Sequence, residues 1–429
     1  MKLIWRKREI IMKLSYREMA WDALDDMYSR FWTPKDGGHI KGVHCGIIVE
    51  KPLMVWEITM LLIAMETYYD ATGDTQTLQR ILGTRDYLLR TFSFEQLTAN
   101  FGNEPNLALD DTGWDAMAYL MFYRLTGDPK MAQMVKRTLL GAYEHYRDGS
   151  LENGLWYNDW AQYNDHWKSS YIVSLLITAW EYSKMTRGTS LYSQELLDQT
   201  MTLYQWTEKY FRRDKKYVIP HGLANGGDLA VNVTDNLYWV DYNQDRENRP
   251  ERNGPSGGVT PNRIGEFGSV CGIFIAMGMS ALNMELYHST GDESYLKKAL
   301  ETSDAIARIN NVNGAYMNDR DIHTNATMAR YYVHALLGTS YASDSQRDIL
   351  FRTADNIYAG GKNCNGIYYP WWGKVCTPEN VSHPNLGYFA SNMMVSATSV
   401  TMICAAALLE SKGYHPSGAK PVYATGVQM

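Results

Sequence analysis

Apolar residues recur at helical spacing along almost the whole chain. Segments 15–32, 52–72, 75–94, 112–127, 129–147, 166–187, 190–213, 268–291, 294–309, 324–340, 344–360 and 386–412 each carry them at i, i+3 and i+4 steps, the signature of one buried helix face. In VWEITMLLIAMETYYDAT (55–72), Val55, Ile58, Leu61, Leu62, Met65 and Tyr69 share such a face. No sustained period-two alternation competes with this pattern. The sequence therefore predicts an all-α protein.

The punctuation between helices repeats. ATGDTQTLQRIL (71–82), LTGDPKMAQMV (125–135) and STGDESYLKKAL (289–300) each close one helix and open another, and KMTRGTSLYSQELL (184–197) is a weaker copy. Glycine supplies the left-handed residue that ends a helix. The following aspartate caps the next one by accepting its free amides. Pro129 fits a first helical turn. Twelve helices in hairpins make six pairs, and closing them into a ring gives an (α/α)6 barrel; an open solenoid is the rival arrangement. The long links at 95–111, 148–165, 214–267, 310–323 and 361–385 favour the barrel. They all lie opposite the short turns, at the end where loops on a rigid scaffold usually carry function. The polar, Gly/Pro-rich stretch 240–266 reads as a surface loop or lid. The expected organisation is an N-terminal extension (1–14), one barrel domain (15–412) and a C-terminal tail (413–429).

Composition narrows the function. Among the 429 residues are 31 Tyr and 13 Trp against 10 Phe, a bias toward rings with a polar handle, suited to packing and to a polar ring-shaped ligand. The net charge of −6 comes without a basic stripe, which argues against nucleic acid as a partner. The five cysteines (Cys45, Cys271, Cys364, Cys376, Cys404) form no metal-ligand spacing, and their odd number leaves a free thiol in a monomer. Cys364 and Cys376 are spaced to bridge a loop. The ten histidines form no HExxH, so no metal or cofactor is expected. The start, MKLIWRKREIIMKL, lacks the apolar core and cleavage site of a secretory signal, which makes the cytoplasm the default compartment. No run reads as a membrane span. The three Asn-x-Ser/Thr sequons (Asn232, Asn325, Asn380) are too short a pattern to carry weight.

The most informative stretch is NLALDDTGWDAMAYLMFYRLTGD (106–128). Asp110 and Asp111 stand where a long loop meets a helix, on the long-loop side of the proposed barrel. The plain structural reading is a helix cap. Asp25–Asp26, inside another helix, reads as solvated surface. The functional reading is a pair of carboxyl groups for glycosidic bond cleavage, one protonated to release the leaving oxygen and one ionised. Like charges side by side push one of the two acids toward its protonated form.

This stretch resembles the signature of the glycoside hydrolase family 76 α-1,6-mannanases, in which an Asp-Asp pair followed by a Trp opens an inner helix. Further stretches resemble the family in the same order. They are NGLWYNDWAQYNDHWKSSYIVSLLITAWEYSKMTRG (153–188), STGDESYLKKALETSDAIA (289–307) and NATMARYYVHALL (325–337). The similarity spans most of residues 50–412. It implies an endo-acting, retaining α-mannan hydrolase, with Asp110 as nucleophile and Asp111 as general acid/base. The chain departs from the family pattern where Tyr242-Asn243-Gln244 is followed by Asp245, where His221–Gly222 replaces an Asp-Gly, and where Asn325 replaces a Lys.

Candidate sugar contacts are Trp156, Tyr157, Trp160, Lys168, His221, Tyr242, Asn243, Trp371 and Trp372. Each aromatic among them has an ordinary packing role as its alternative, and Lys168 that of a solvated helix-start residue. Trp114 reads as core, and Arg330 as the partner of a buried acid. Two other functions stay open. One is a different barrel enzyme, an unsaturated uronyl hydrolase or a sugar epimerase, the latter calling on histidines such as His166, His323 and His383. The other is a glycan-binding protein without turnover. The expected partner is a polysaccharide or oligosaccharide substrate, and the chain is expected to act as a monomer. Members of the resembled family are usually exported or held at the cell surface.

Overall fold

The computed structural model describes residues 14–33, 39–40, 42–44, 47–49, 55–98, 108–147, 154–156, 167–219, 229–238, 241–243, 273–309, 311–312, 314–316, 324–360, 362, 368, 372 and 393–418. The helices among them are α1 (Tyr16–Phe31), α2 (Val55–Thr72), α3 (Thr75–Thr91), the short α4 (Phe94–Thr98), α5 (Leu109–Thr126), α6 (Pro129–His145), α7 (Val173–Thr186), α8 (Gln194–Phe211), α9 (Ile273–Thr290), α10 (Glu293–Ile309), α11 (Ala329–Tyr332), α12 (Asp344–Gly360) and α13 (Met393–Ser411). A π-helical turn, Val333–Leu337, continues α11. The chain forms two compact units, residues 92–282 and residues 1–91 with 283–429, and the division falls inside α9.

Two kinds of helix alternate. In α2 every residue from Ile58 to Tyr68 is buried, and in α13 every residue from Met393 to Leu409. Helices α5 and α7 are likewise apolar nearly all round. Such helices need neighbours on every side. Their hairpin partners are one-sided. Helix α3 buries only Thr77, Ile81, Thr84, Tyr87 and Leu88, and α6 and α8 show the same single stripe. In the larger unit α13 packs on α1, α2 and α12, and α2 on α3; in the other, α5 packs on α6 and α7, and α7 on α8. Helix α13 has the length and hydropathy of a membrane span, but 94% of that window is buried within the fold, as a core helix requires.

The Thr-Gly-Asp turns work as their sequence implies. Thr72, Thr126 and Thr290 each donate a side-chain hydrogen bond to the carbonyl four residues back (2.8, 2.6 and 2.7 Å). Gly73, Gly127 and Gly291 take left-handed backbone at φ 65°, 68° and 72°. Asp74, Asp128 and Asp292 then accept from Thr77 N (2.7 Å), Lys130 N (2.9 Å) and Ser294 N (2.9 Å). In the weaker copy, Gly188 has φ 80° and Ser193 caps α8.

Ten strands among the described residues punctuate the helical fold. Strand β1 (Trp167–Ser169) precedes a 3-10 turn, Ser170–Ile172, so α7 starts later than its periodicity suggests. Strands β2 (Arg212–Ile219) and β3 (Leu229–Tyr238) form an antiparallel hairpin inside the link expected to be irregular, and β4 (Asp241–Asn243) pairs with β1. The hairpin is moored at its base. Arg212, 2% exposed, donates from Nη1 to the Tyr238 hydroxyl (3.2 Å), which donates to Glu208 Oε1 on α8 (2.6 Å). Shorter strand pairs join Trp32–Thr33 to His39–Ile40, Gly42–His44 to Ile47–Val49 and Asn311–Val312 to Ala315–Tyr316.

The pair Asp25–Asp26 is not plain solvated surface. Asp25 binds Arg80, which lies over the Trp21 and Tyr28 rings, and Asp26 binds Arg30 (2.8 Å) and Lys362 (3.2 Å). The expected tail is partly docked: Ser417 N donates to Asp348 (2.8 Å) and Tyr414 lies 3.9 Å beneath Arg347. Asn325 is 2% exposed, which closes that sequon to a glycan.

Arg330 meets its buried acids on α2, with Nη2 2.6 Å from Asp70 and Nε 3.6 Å from Glu66. His334 Nε2 lies 2.8 Å from the same Asp70 oxygen. Burial holds the His334 imidazole below its ordinary pKa, helped by the Arg330 charge and opposed by Asp70. Burial alone would raise Asp70; the His334 hydrogen bond and the Arg330 charge outweigh it, and its pKa is lowered. Both groups therefore bind protons more readily unfolded than folded, so both contributions to stability are present at neutral pH and fade on acidification. Melting temperature should fall as pH drops below about 6.5, the ordinary histidine value, and again below about 3.9, that of aspartate. His334→Gln should remove the first step in a thermal-melt pH series; an unchanged series would refute the assignment.

Candidate active site

Helix α5 starts one turn earlier than its apolar periodicity indicates. Ala108 is the N-cap (φ −87°, ψ 158°), and Leu109, Asp110 and Asp111 fill the first turn. The two acids are therefore inside the helix, not in the loop before it. An anion in that turn is favoured by the unpaired amides and the helix dipole. Asp111, half-buried, accepts from Ala108 N at 3.3 Å. The N-cap has no side-chain acceptor of its own, so Asp111 closes the turn from the third position, the back-bonding half of a capping box. Asp110 is 7% exposed. Successive helical residues diverge by roughly 100°. The two neighbours accordingly differ in exposure, Asp110 being buried and Asp111 half-buried.

The surroundings hold this turn closely. The 3-10 turn before α7 packs on α5. Ser174 Oγ lies 3.4 Å from both the Asp110 carbonyl and the Tyr171 carbonyl. Trp114, fully buried as expected, stands 5.8 Å from the Phe274 ring, which lies 5.3 Å from Tyr171. Gly113 and Ser174 do not stand out in the sequence; the available cue is a glycine in the second turn of a helix, where it weakens helical propensity.

Strands β1 and β4 bring three other candidates together: Lys168 is the register partner of Tyr242, and Trp167 that of Asn243. The strand carrying Lys168 leads through the 3-10 turn into α7 and so to Ser174. Tyr157, Trp160, His221 and Trp371 lie outside the described residues, as do His166, His323 and His383.

Two aromatic candidates are corrected. Trp156 is 3% exposed, its backbone N–H donating to the Tyr146 carbonyl at 3.0 Å, beside a Gly154 whose missing Cβ makes room for the Trp206 ring. Trp372 is 0% exposed; its indole N–H donates to Ser399 (3.2 Å) and its carbonyl accepts from Asn356 (2.8 Å). Neither ring presents a face to a sugar, because each is engaged in the core. A groove between α6 and α8, lined by Tyr143, Glu144, Arg147, Glu195 and Gln199, contains none of the candidates.

No protein-family model and no curated protein matches the sequence. Solved structures do match. The family 76 α-1,6-mannanase from Salegentibacter sp. HEL1_6 aligns over 92% of this chain and 100% of its own, with TM-score 0.64 and 16% identity. A variant of that enzyme with two consecutive aspartates changed to asparagine is inactive and was solved with α-1,6-mannotriose. A family 76 glycoside hydrolase from a bovine Bacteroides thetaiotaomicron strain aligns over 93% of this chain and 79% of its own (TM-score 0.67, 13% identity). Dfg5 from Chaetomium thermophilum, solved with glucosamine, aligns over 98% and 94% (TM-score 0.60, 15% identity). The chain has the (α/α)6-barrel fold of these proteins, and the resemblance to family 76 is borne out at the level of fold.

Asp111→Ala should lower stability by about 0.5–1 kcal/mol, the worth of a side-chain acceptor at a helix start, and Trp372→Ala by about 3–5 kcal/mol, that of a buried aromatic. Chemical denaturation checks both. A Trp372→Ala change that is thermodynamically silent would make Trp372 a candidate sugar contact again.

Proposed function

We propose that the chain is a glycoside hydrolase that cleaves α-mannan within the polymer, an endo-α-1,6-mannosidase acting with retention of configuration. The observation that carries this reading is the adjacent acid pair in the first turn of a buried helix, in a fold shared along nearly the whole chain with family 76 mannanases. In the neighbour from Salegentibacter, replacing two consecutive aspartates gives an inactive protein that was solved with α-1,6-mannotriose. The same dependence on a tandem pair is proposed for Asp110 and Asp111.

In this scheme Asp110 is the nucleophile. Its carboxylate attacks the anomeric carbon as the glycosidic C–O bond breaks, giving a mannosyl ester on Asp110. Asp111, protonated at that moment, gives its proton to the departing sugar oxygen. Water then enters; Asp111 takes a proton from it, and the resulting oxygen displaces the ester, restoring both carboxyl groups and the original configuration. Burial suits the first role, because a nucleophile stripped of water attacks within a fixed geometry. The more open position of Asp111 suits proton exchange with leaving group and water. Tyr157, Trp160, Lys168, His221, Tyr242, Asn243 and Trp371 are proposed sugar contacts, and the chain is proposed to act as a monomer.

Linear α-1,6-mannan digested in an NMR tube should release products first seen as the α-anomer. Asp110→Asn and Asp111→Asn should each lower kcat by on the order of 10²–10⁴-fold with helical circular dichroism retained. Wild-type turnover in both variants, or initial release of the β-anomer, would overturn the scheme.

A further inference from the structure

We infer that the contact between Gly113 on α5 and Ser174 on α7 is a positioning device that sets where the acid pair sits. The inference rests on the glycosidase reading above. Gly113 follows Asp111 by two residues. A β-carbon there would lie 1.9 Å from Ser174 Oγ, 2.5 Å from Ser174 Cβ and 2.9 Å from the main-chain nitrogen of Leu175. Rotating the serine side chain would leave two of those three collisions in place, one of them with helix backbone. At this level, then, the two helices touch main chain to main chain.

Backbone conformation does not explain this glycine. Gly113 is not among the glycines with positive φ and lies inside a regular helix. Any other residue would satisfy the dihedral angles, and alanine would favour the helix. What glycine contributes is the close approach itself.

The serine across the contact makes the approach specific. Ser174 Oγ lies 3.4 Å from the Asp110 main-chain carbonyl, so α7 is tied to the residue that carries the proposed nucleophile. Ser174 Oγ also lies 3.4 Å from the Tyr171 carbonyl, in the middle of the 3-10 turn that follows β1. Steric limit and hydrogen bond act on the same turn of α5 from the same residue. Together they fix how far α5 stands from α7, and hence where the two carboxyl groups lie relative to a sugar bound over the helix mouth. Gly113 and Ser174 touch no substrate in this scheme; they act through Asp110 and Asp111.

The test compares Gly113→Ala, Ser174→Ala, Ser174→Gly and the double variant Gly113→Ala/Ser174→Gly in steady-state hydrolysis of α-1,6-mannan. An added Cβ should push the first turn of α5 away and lower kcat by on the order of 10–100-fold, the scale expected for a displacement approaching 1 Å, with KM changed less than about twofold. Removing the serine side chain clears the two shortest collisions and leaves only the 2.9 Å approach to Leu175 N. The double variant should therefore recover about threefold or more of the lost kcat, because catalytic geometry is partly restored. The same relief of overpacking should raise its melting temperature above that of Gly113→Ala, less the small helix cost of a glycine at position 174. A purely structural role predicts instead that Gly113→Ala loses melting temperature while kcat per folded molecule stays at the wild-type value. Gly113→Ala at wild-type kcat, or a loss that Ser174→Gly does not recover, overturns the inference. Should Gly113→Ala fail to fold, Ser174→Ala decides: lower kcat at constant KM supports positioning, and unchanged kcat defeats it. A wild-type chain that leaves mannan intact defeats the glycosidase reading itself, a result separable from all of these.

Discussion

A helix that is apolar on every side cannot end in water without help, and this constraint organises the molecule. Helices α2, α5, α7 and α13 are buried nearly all round, so each must be surrounded. The one-striped helices α3, α6 and α8 supply part of that cover and face solvent with their other side. Polar chemistry has few places to go on a fully buried helix. Along its length a charge needs a dedicated partner, as Glu66 and Asp70 on α2 find in Arg330. At its amino end the free amides already favour a negative charge. The acid pair of α5 occupies that place.

The turns explain why the helices are so directly legible. Each residue of Thr-Gly-Asp has one local role, whether back-bonding to the previous turn, reversing the backbone or capping the next helix. Such roles depend on no distant contact, so three copies in the sequence give three alike turns in the structure. The start of α5 is harder to read. Its N-cap is Ala108, which offers no side-chain acceptor, and the cap comes instead from Asp111 three positions on. Without Ser, Thr, Asp or Asn at the boundary, the first turn looks like the end of a loop. The sequence therefore places the two acids one turn too far outside the helix.

The hairpin of β2 and β3 escapes sequence reasoning for a different reason. Its alternation is brief, as in Val231-Asn232-Val233-Thr234, and its other strand opens with Arg212, Arg213, Asp214, Lys215 and Lys216. Nothing local in that charged run favours a strand. What secures it is the buried Glu208–Tyr238–Arg212 network, whose members are up to 30 residues apart in sequence. Trp156 and Trp372 mislead similarly: an aromatic in a loop sequence looks available until tertiary packing buries it.

The same distinction bears on what the acid pair is for. A helix start needs one acceptor for the amide that Ala108 leaves open, and Asp111 provides it. Capping gives no reason for a second acid beside it, still less for one that is 7% exposed, since desolvating a carboxyl group costs stability unless other contacts offset the loss. Nor does helix propensity favour a glycine two residues later, where alanine would serve the helix better. Each feature alone is a small penalty against the fold. They fall within one turn of each other, on the same helix, against the same neighbour. Local costs gathered at one place are the pattern expected where a proposed catalytic pair must be held in position.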